Sequence, residues 1–117
     1  MSGLMSYHAG LSAEAQVERR YVDDGYVVRD RRWRGQAGEI DLIMAADDQL
    51  VFIEVKKSRD LARAAERLNT RQMARIYRAA GEYLGQLQAG QDSNARFDVA
   101  LVGGGGQIEI IENAFGG

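Results

Sequence analysis

The sequence predicts an α/β sandwich in which helices pack on a mixed sheet. Three observations carry this. Residues 39–44 and 50–56 are apolar runs with charges at period two, the signature of strands. A helical pattern precedes them, and a longer one separates them from a further strand pair. A chain of 117 residues is one domain, large enough to bury a core without staples.

Each element has its own reason. Residues 1–10 read as a loose N-terminal segment ahead of a single domain over 11–117. Ser12 suits a helix N-cap and Glu14 the first turn, so a helix is expected to run to about Asp24, where Gly25 ends it. Glu14, Val17 and Tyr21 lie on one side of it, which turns Glu14 partly inward. Tyr26, Val27 and Val28 open a first strand, and residues 29–34 either continue it or loop away. Gly35 and Gly38 bracket a bend. The next two strands turn at Asp47 and Asp48.

From Ser58 the period is helical, with Leu61, Ala65 and Leu68 on one face and Thr70 placed to cap a second, longer helix. On that helix Met73, Ile76, Tyr77, Ala80, Leu84 and Leu87 fall in a sector of about 100°, with Arg71, Arg75 and Arg78 opposite, within about 60°. Tyr77 is thereby expected in the core. Gly90 closes this helix. Residues 96–102 form a strand and 107–111 pair back on it across four glycines. Those glycines lack the Lys-Ser/Thr and the helix of a phosphate loop.

Composition narrows the chemistry. With no cysteine, disulfides, zinc fingers, thiol nucleophiles and iron–sulfur clusters are excluded. The one histidine, His8, leaves little room for a histidine metal site or a Ser-His-Asp triad. No apolar run approaches the roughly 18 residues of a membrane span, so no membrane partner is expected. The N-terminus lacks a basic and apolar leader pattern, so a cytoplasmic location is expected.

The net charge of −2 is unevenly spread. Arg29, Arg31, Arg32 and Arg34 face only Asp30 in residues 29–34. Six arginines face two acids in residues 59–78. The segment between is acidic, and it holds both lysines, Lys56 and Lys57. Arginine pairs bidentately with phosphate or carboxylate, so Arg31, Arg32, Arg34, Arg71, Arg75 and Arg78 are candidate nucleic-acid contacts; pairing with local acids is the alternative. Trp33, among these arginines, is expected to pack on the fold in preference to stacking on a base. Asp98 is expected to pair with Arg96 or a backbone donor.

Residues 38–56 are the informative stretch. If Asp47 and Asp48 centre the turn, Asp41 lies opposite Glu54 and Glu39 opposite Lys56, and opposed residues share a face. A slip of one residue would separate them. Glu39, Asp41 and Ile43 are expected on one face and Ile40, Leu42 and Met44 on the other. Two opposed carboxylates need a cation, either Lys56 or a divalent metal. Without histidine or thiolate, such a pair selects Mg²⁺ or Mn²⁺ over zinc. A solvated strand face is the plainer alternative, although charges on so apolar a strand need a reason.

The run Gly38-Glu39-Ile40-Asp41-Leu42-Ile43, followed by Leu50-Val51-Phe52-Ile53-Glu54-Val55-Lys56, resembles the signature of the YraN-like family of small bacterial proteins. That family is grouped with the PD-(D/E)XK, or restriction-endonuclease-like, nucleases. The likeness extends from about Leu11 to Phe115. It implies a restriction-endonuclease-like core: a helix, a three-stranded meander, a helix and a strand hairpin. It implies that Asp41 and Glu54 are metal ligands, that the Val55 carbonyl is a further ligand and that Lys56 is the catalytic lysine. Glu14 would face the site from the first helix, with Glu39 and Gln72 supporting. Lys57-Ser58-Arg59, Gln72 and Ala13-Glu14 depart from the usual pattern around the substrate groove.

The resemblance implies a Mg²⁺-dependent nuclease acting on DNA, branched or damaged structures being a plausible class. The alternatives are a nucleic-acid-binding module that cleaves little or not at all, and a protein-interaction domain. A homodimer would suit a two-stranded substrate, and the acidic balance would suit a partner protein that supplies targeting.

Overall fold

The computed structural model describes residues 12–66 (the side chains of 64–66 excepted), 69–87 and 94–114. The expectations on residues 1–10, on the side chains of Ala65 and Leu68, on Gly90 and on Phe115 fall outside the described residues. In order the elements are α1 (Ala13–Asp23), β1 (Val27–Arg34), β2 (Glu39–Ala46), β3 (Gln49–Lys57), α2 (Leu61–Glu66), α3 (Thr70–Gly85), β4 (Asn94–Val102) and β5 (Ile108–Ile111). The strands form one five-stranded sheet in sequence order. All neighbours are antiparallel except β3 and β4, which run parallel. The protein is thus a mixed α/β fold with helices on both faces of the sheet.

Local chemistry sets the ends of α1. The Ser12 hydroxyl accepts from the Ala15 N–H at 3.0 Å. At the other end Gly25 takes φ +98°, with Gly25 N–H on the Val22 carbonyl and Tyr26 N–H on that of Tyr21. This is a Schellman stop, which a glycine makes at no steric cost. On α3 the cap is Asn69, one residue before the expected Thr70; its Oδ1 accepts from Gln72 N–H at 2.8 Å. Asparagine is the better cap and leaves Thr70 free to begin the helix.

On one face of the sheet, Ala13, Val17 and Tyr21 of α1 pack on Leu42, Met44, Val51, Ile53, Ala100 and Val102. On the other, Ala79, Ala80 and Tyr83 of α3 pack on Ile40, Ile43, Ala45, Leu50 and Phe52. Leu61 of α2 covers Val99 and Leu101. Trp33 packs here as expected, edge-on to Tyr83 at 5.3 Å.

Two expectations need correction. Ile40 packs with Ile43, not with Leu42 and Met44. The β1–β2 register pairs Arg31 with Leu42 and Trp33 with Ile40, leaving Arg32 and Asp41 between them, and Arg32 stands at φ +48°. That left-handed residue breaks the alternation locally, as bulges do. Tyr77 is not in the core: it is 43% exposed, although its ring meets Phe97. The buried residues of α3 are Ile76, Ala79, Ala80 and Tyr83, a sector whose centre lies about 60° from that of the apolar stripe.

Candidate functional site

The site stands at the end of the β2–β3 ladder. The pairing runs from Ala46 opposite Gln49 to Leu42 opposite Ile53, the register read from the sequence. Beyond Leu42 the ladder changes partner. The Val55 N–H donates to Asp41 Oδ2 at 2.8 Å, so a side-chain carboxylate stands where a backbone acceptor would. This brings Asp41 beside Glu54 and fixes its orientation.

Glu54 is 6% exposed, on a strand paired on both sides. Burial, and then the hydrogen-bonded Asp41 carboxylate, push its pKa up to about 8, against the opposing pull of Lys56. The cause is the cost of bringing two like charges out of water. Lys56 Nζ stands 3.5 Å from Glu54 Oε2, and Gln72 Nε2 donates to the same oxygen at 2.5 Å. Gln72 is N3 of α3, so the Asn69 cap that holds its backbone also holds the donor to Glu54.

A cleft of about 540 Å³ opens over these groups, lined by Asp41, Glu54, Val55, Lys56 and Gln72 together with Arg34, Glu39, Arg75 and residues 35, 36 and 38. The remaining expected residues, and those at the cleft rim, fall in four sets. Glu39, expected opposite Lys56, instead pairs with Arg34 at 3.4 Å, because the β2–β3 ladder has ended before either is reached. Glu14 lines a separate hollow of about 360 Å³ with Asp41, Arg31 and Arg32, and pairs with Arg32 at 3.6 Å. Arg31 forms a bidentate pair with Glu18 at 2.6 and 3.0 Å. Of the three arginines on α3, Arg75 lines the cleft; Arg71 and Arg78 do not.

The residues fit a hard divalent cation. Asp41 and Glu54 offer carboxylate oxygens, and Val55 lines the same cleft. Glu54 retains its proton well above the usual carboxylate range, because burial and the neighbouring Asp41 disfavour its charge. No group of three or more acidic or histidine residues converges among the described residues. Mg²⁺ commonly takes one or two carboxylates and fills its other positions with water and substrate oxygens.

Glu82 escapes a reading of residue types. It accepts from the backbone N–H of Gln36 at 2.8 Å and of Ala37 at 2.6 Å, clasping the β1–β2 loop that rims the cleft. Gln72, Arg75, Ala79 and Glu82 follow one another at three- and four-residue spacing, which is the available signal.

A second cluster is structural. Asp98 is fully buried; it accepts from Tyr21 Oη at 2.6 Å, from Arg96 at 2.9 and 3.0 Å and from Asn113 N–H at 3.0 Å. The expected pairing with Arg96 and a backbone donor is present.

Fold and site define a mixed α/β protein with a cleft carrying a buried glutamate, a partly buried aspartate beside it and a lysine. The model of Uncharacterised protein family UPF0102 matches residues 13–102. The chain belongs to this family, the YraN-like group that its signature resembles. A UPF0102 protein of Ruegeria pomeroyi is 54% identical over 97% of this chain and 93% of its own length. One from Cereibacter sphaeroides strain KD131 is 56% identical over 98% of both chains. One from Dinoroseobacter shibae is 42% identical over 95% of this chain and 83% of its own. No helix among the described residues is long and apolar enough to cross a membrane.

Proposed function

We propose that this protein is a metal-dependent nuclease with a restriction-endonuclease-like core that hydrolyses phosphodiester bonds of DNA. The observation that carries the reading is the pairing of buried Glu54 with Asp41, 3.5 Å from Lys56, at the floor of an open cleft. A structural carboxylate pair at this position would cost stability with no return.

Asp41, Glu54 and the Val55 carbonyl would hold Mg²⁺ or Mn²⁺. Such an ion supplies polarisation of the scissile phosphate and a more acidic bound water. The chain's own groups do the rest. The Val55 N–H aims Asp41, and Gln72 holds Glu54 Oε2. Lys56 is largely buried and close enough to orient the attacking water or to stabilise charge developing on phosphorus. Water adds to phosphorus, one P–O bond to sugar breaks, and the leaving oxygen departs with a proton.

A nucleic-acid-binding module without cleavage is the second reading. It is favoured by Glu14, which turns to Arg32 and does not join Glu54.

The test is a cleavage screen on single-stranded, duplex, flapped and four-way-junction DNA and on RNA, with Mg²⁺ or Mn²⁺. Asp41→Ala, Glu54→Ala and Lys56→Ala run beside the wild type. Cleavage that drops roughly a hundredfold or more in each variant supports the nuclease. Metal binding by calorimetry without cleavage moves the reading to the binding module. Absence of both leaves the pair without a catalytic role.

A further inference from the structure

Helix α3 enters the cleft along one stripe. Gln72 meets Glu54. One turn on, about 4.5 Å along the axis, stands Arg75. Farther along the same stripe, Glu82 clasps the β1–β2 loop at Gln36 and Ala37. The next residue of that loop is Gly38. A Cβ there would lie 2.8 Å from Arg75 Cγ and 2.9 Å from its Cδ. The absence of a side chain at Gly38 therefore makes room for the arginine stem to lie flat on the loop backbone. The Glu82 clasp holds the loop under it.

The charge inventory of the cleft makes this arginine stand out. Lys56 is engaged by Glu54 and Arg34 by Glu39. Among the described residues no carboxylate pairs with Arg75. Among the described residues its guanidinium is the cleft's cation without a paired anion. A stem already laid on protein loses little freedom when the head binds, and a guanidinium matches phosphate bidentately.

We infer that Arg75 is a phosphate seat: seated on Gly38, it takes a backbone phosphate beside the scissile one and so positions the DNA strand over Asp41 and Glu54. This rests on the nuclease reading and deepens it. It separates Arg75 from Arg71 and Arg78, which share its helix but lie outside the cleft. It also answers an electrostatic difficulty. A polyanion approaching two carboxylates is repelled, and a fixed cation one helical turn away offsets that repulsion at the point of approach.

The experiment is binding without cleavage. The full chain, in EDTA, is titrated against fluorescently labelled duplex and four-way-junction DNA at salt concentrations from about 50 to 200 mM. The slope of log affinity against log salt counts the phosphates neutralised. Arg75→Ala is expected to lower that slope by about 0.9, one phosphate on duplex DNA, with weaker binding at every salt. Arg75→Lys keeps the charge and should restore the slope. Arg19→Ala, an equal charge change on α1, should leave it unchanged. An unchanged slope in Arg75→Ala, or an equal loss in Arg19→Ala, overturns the seat and leaves the nuclease reading standing. Absence of wild-type binding to both DNAs also overturns the seat, whereas the nuclease reading falls only if the cleavage screen with Mg²⁺ or Mn²⁺ shows no cleavage.

Discussion

Replacing Glu54 by Gln keeps the shape and removes the titration. In the metal-free fold the Glu54 carboxyl binds its proton up to about pH 8; its ordinary value is 4.5. Between those values the folded protein holds a proton that the unfolded chain has released. Stability therefore falls as pH rises through this window, by about 1.4 kcal/mol per pH unit. From roughly pH 5.5 to 7.5 the loss is about 3 kcal/mol, and burial leaves little solvent to screen it. The substituted amide has no proton to lose. Other titrating groups are common to both proteins, so the difference between their stabilities isolates this site. Urea unfolding of both, with a chelator present, is the assay. The Glu54→Gln protein should gain on the wild type steadily with pH. Adding Mg²⁺ should then restore the wild type at high pH and leave the variant unmoved, since a ligand stabilises the state that binds it. Parallel stability curves would refute the reasoning, because the carboxyl would then already be ionised at neutral pH.

Three further outcomes are expected. Asp98→Ala removes the acceptor of Tyr21, Arg96 and Asn113 and should cost about 3 kcal/mol, the lower end of the range because Arg96 keeps some contact with water; a loss below about 1 kcal/mol in urea unfolding would contradict the network's weight. Asn69→Ala should cost about 1 kcal/mol and lower metal affinity through Gln72, read by unfolding and calorimetry; unchanged metal affinity would show that Gln72 does not depend on its cap. Glu82→Ala leaves the N–H groups of Gln36 and Ala37 without their acceptor, so those two amides should exchange hydrogen faster, and unaltered exchange would show that the loop stands without the clasp.

Much of this arrangement is legible in the sequence because it follows from backbone period. The Asp47–Asp48 turn fixes the β2–β3 register, and the register alone brings Asp41 towards Glu54. Alternation along β3 holds because that strand is paired on both sides. It fails on β2 at Ile40, where the edge strand β1 carries a left-handed Arg32, and nothing in an arginine announces a positive φ. The rotation of α3 is equally hidden. Hydropathy points Tyr77 inward, yet the helix settles by what its polar residues can hold. Gln72 has Glu54, Glu82 has two backbone donors, and the Tyr83 ring fits between Trp33 and Phe52. Those partners lie far away in sequence, so no local pattern reports them. The same rotation turns Arg75, still exposed, towards the cleft.

The parallel pairing of β3 with β4 has a consequence for how the site comes into being. The β2–β3 hairpin closes locally through a two-residue turn, an event of about 1–10 μs for hairpins in general. It already carries Asp41, Glu54 and Lys56. Gln49, however, pairs with Asn94, and between them lie both α2 and α3. Such distant pairing closes late, since loop entropy must be overcome first. Gln72 travels with that crossover, as do Arg75 and Glu82. A fragment ending before α3 would thus retain the three charged side chains of the signature and lack everything that holds them: the motif is written in the hairpin, but the cleft is assembled by the return of the chain.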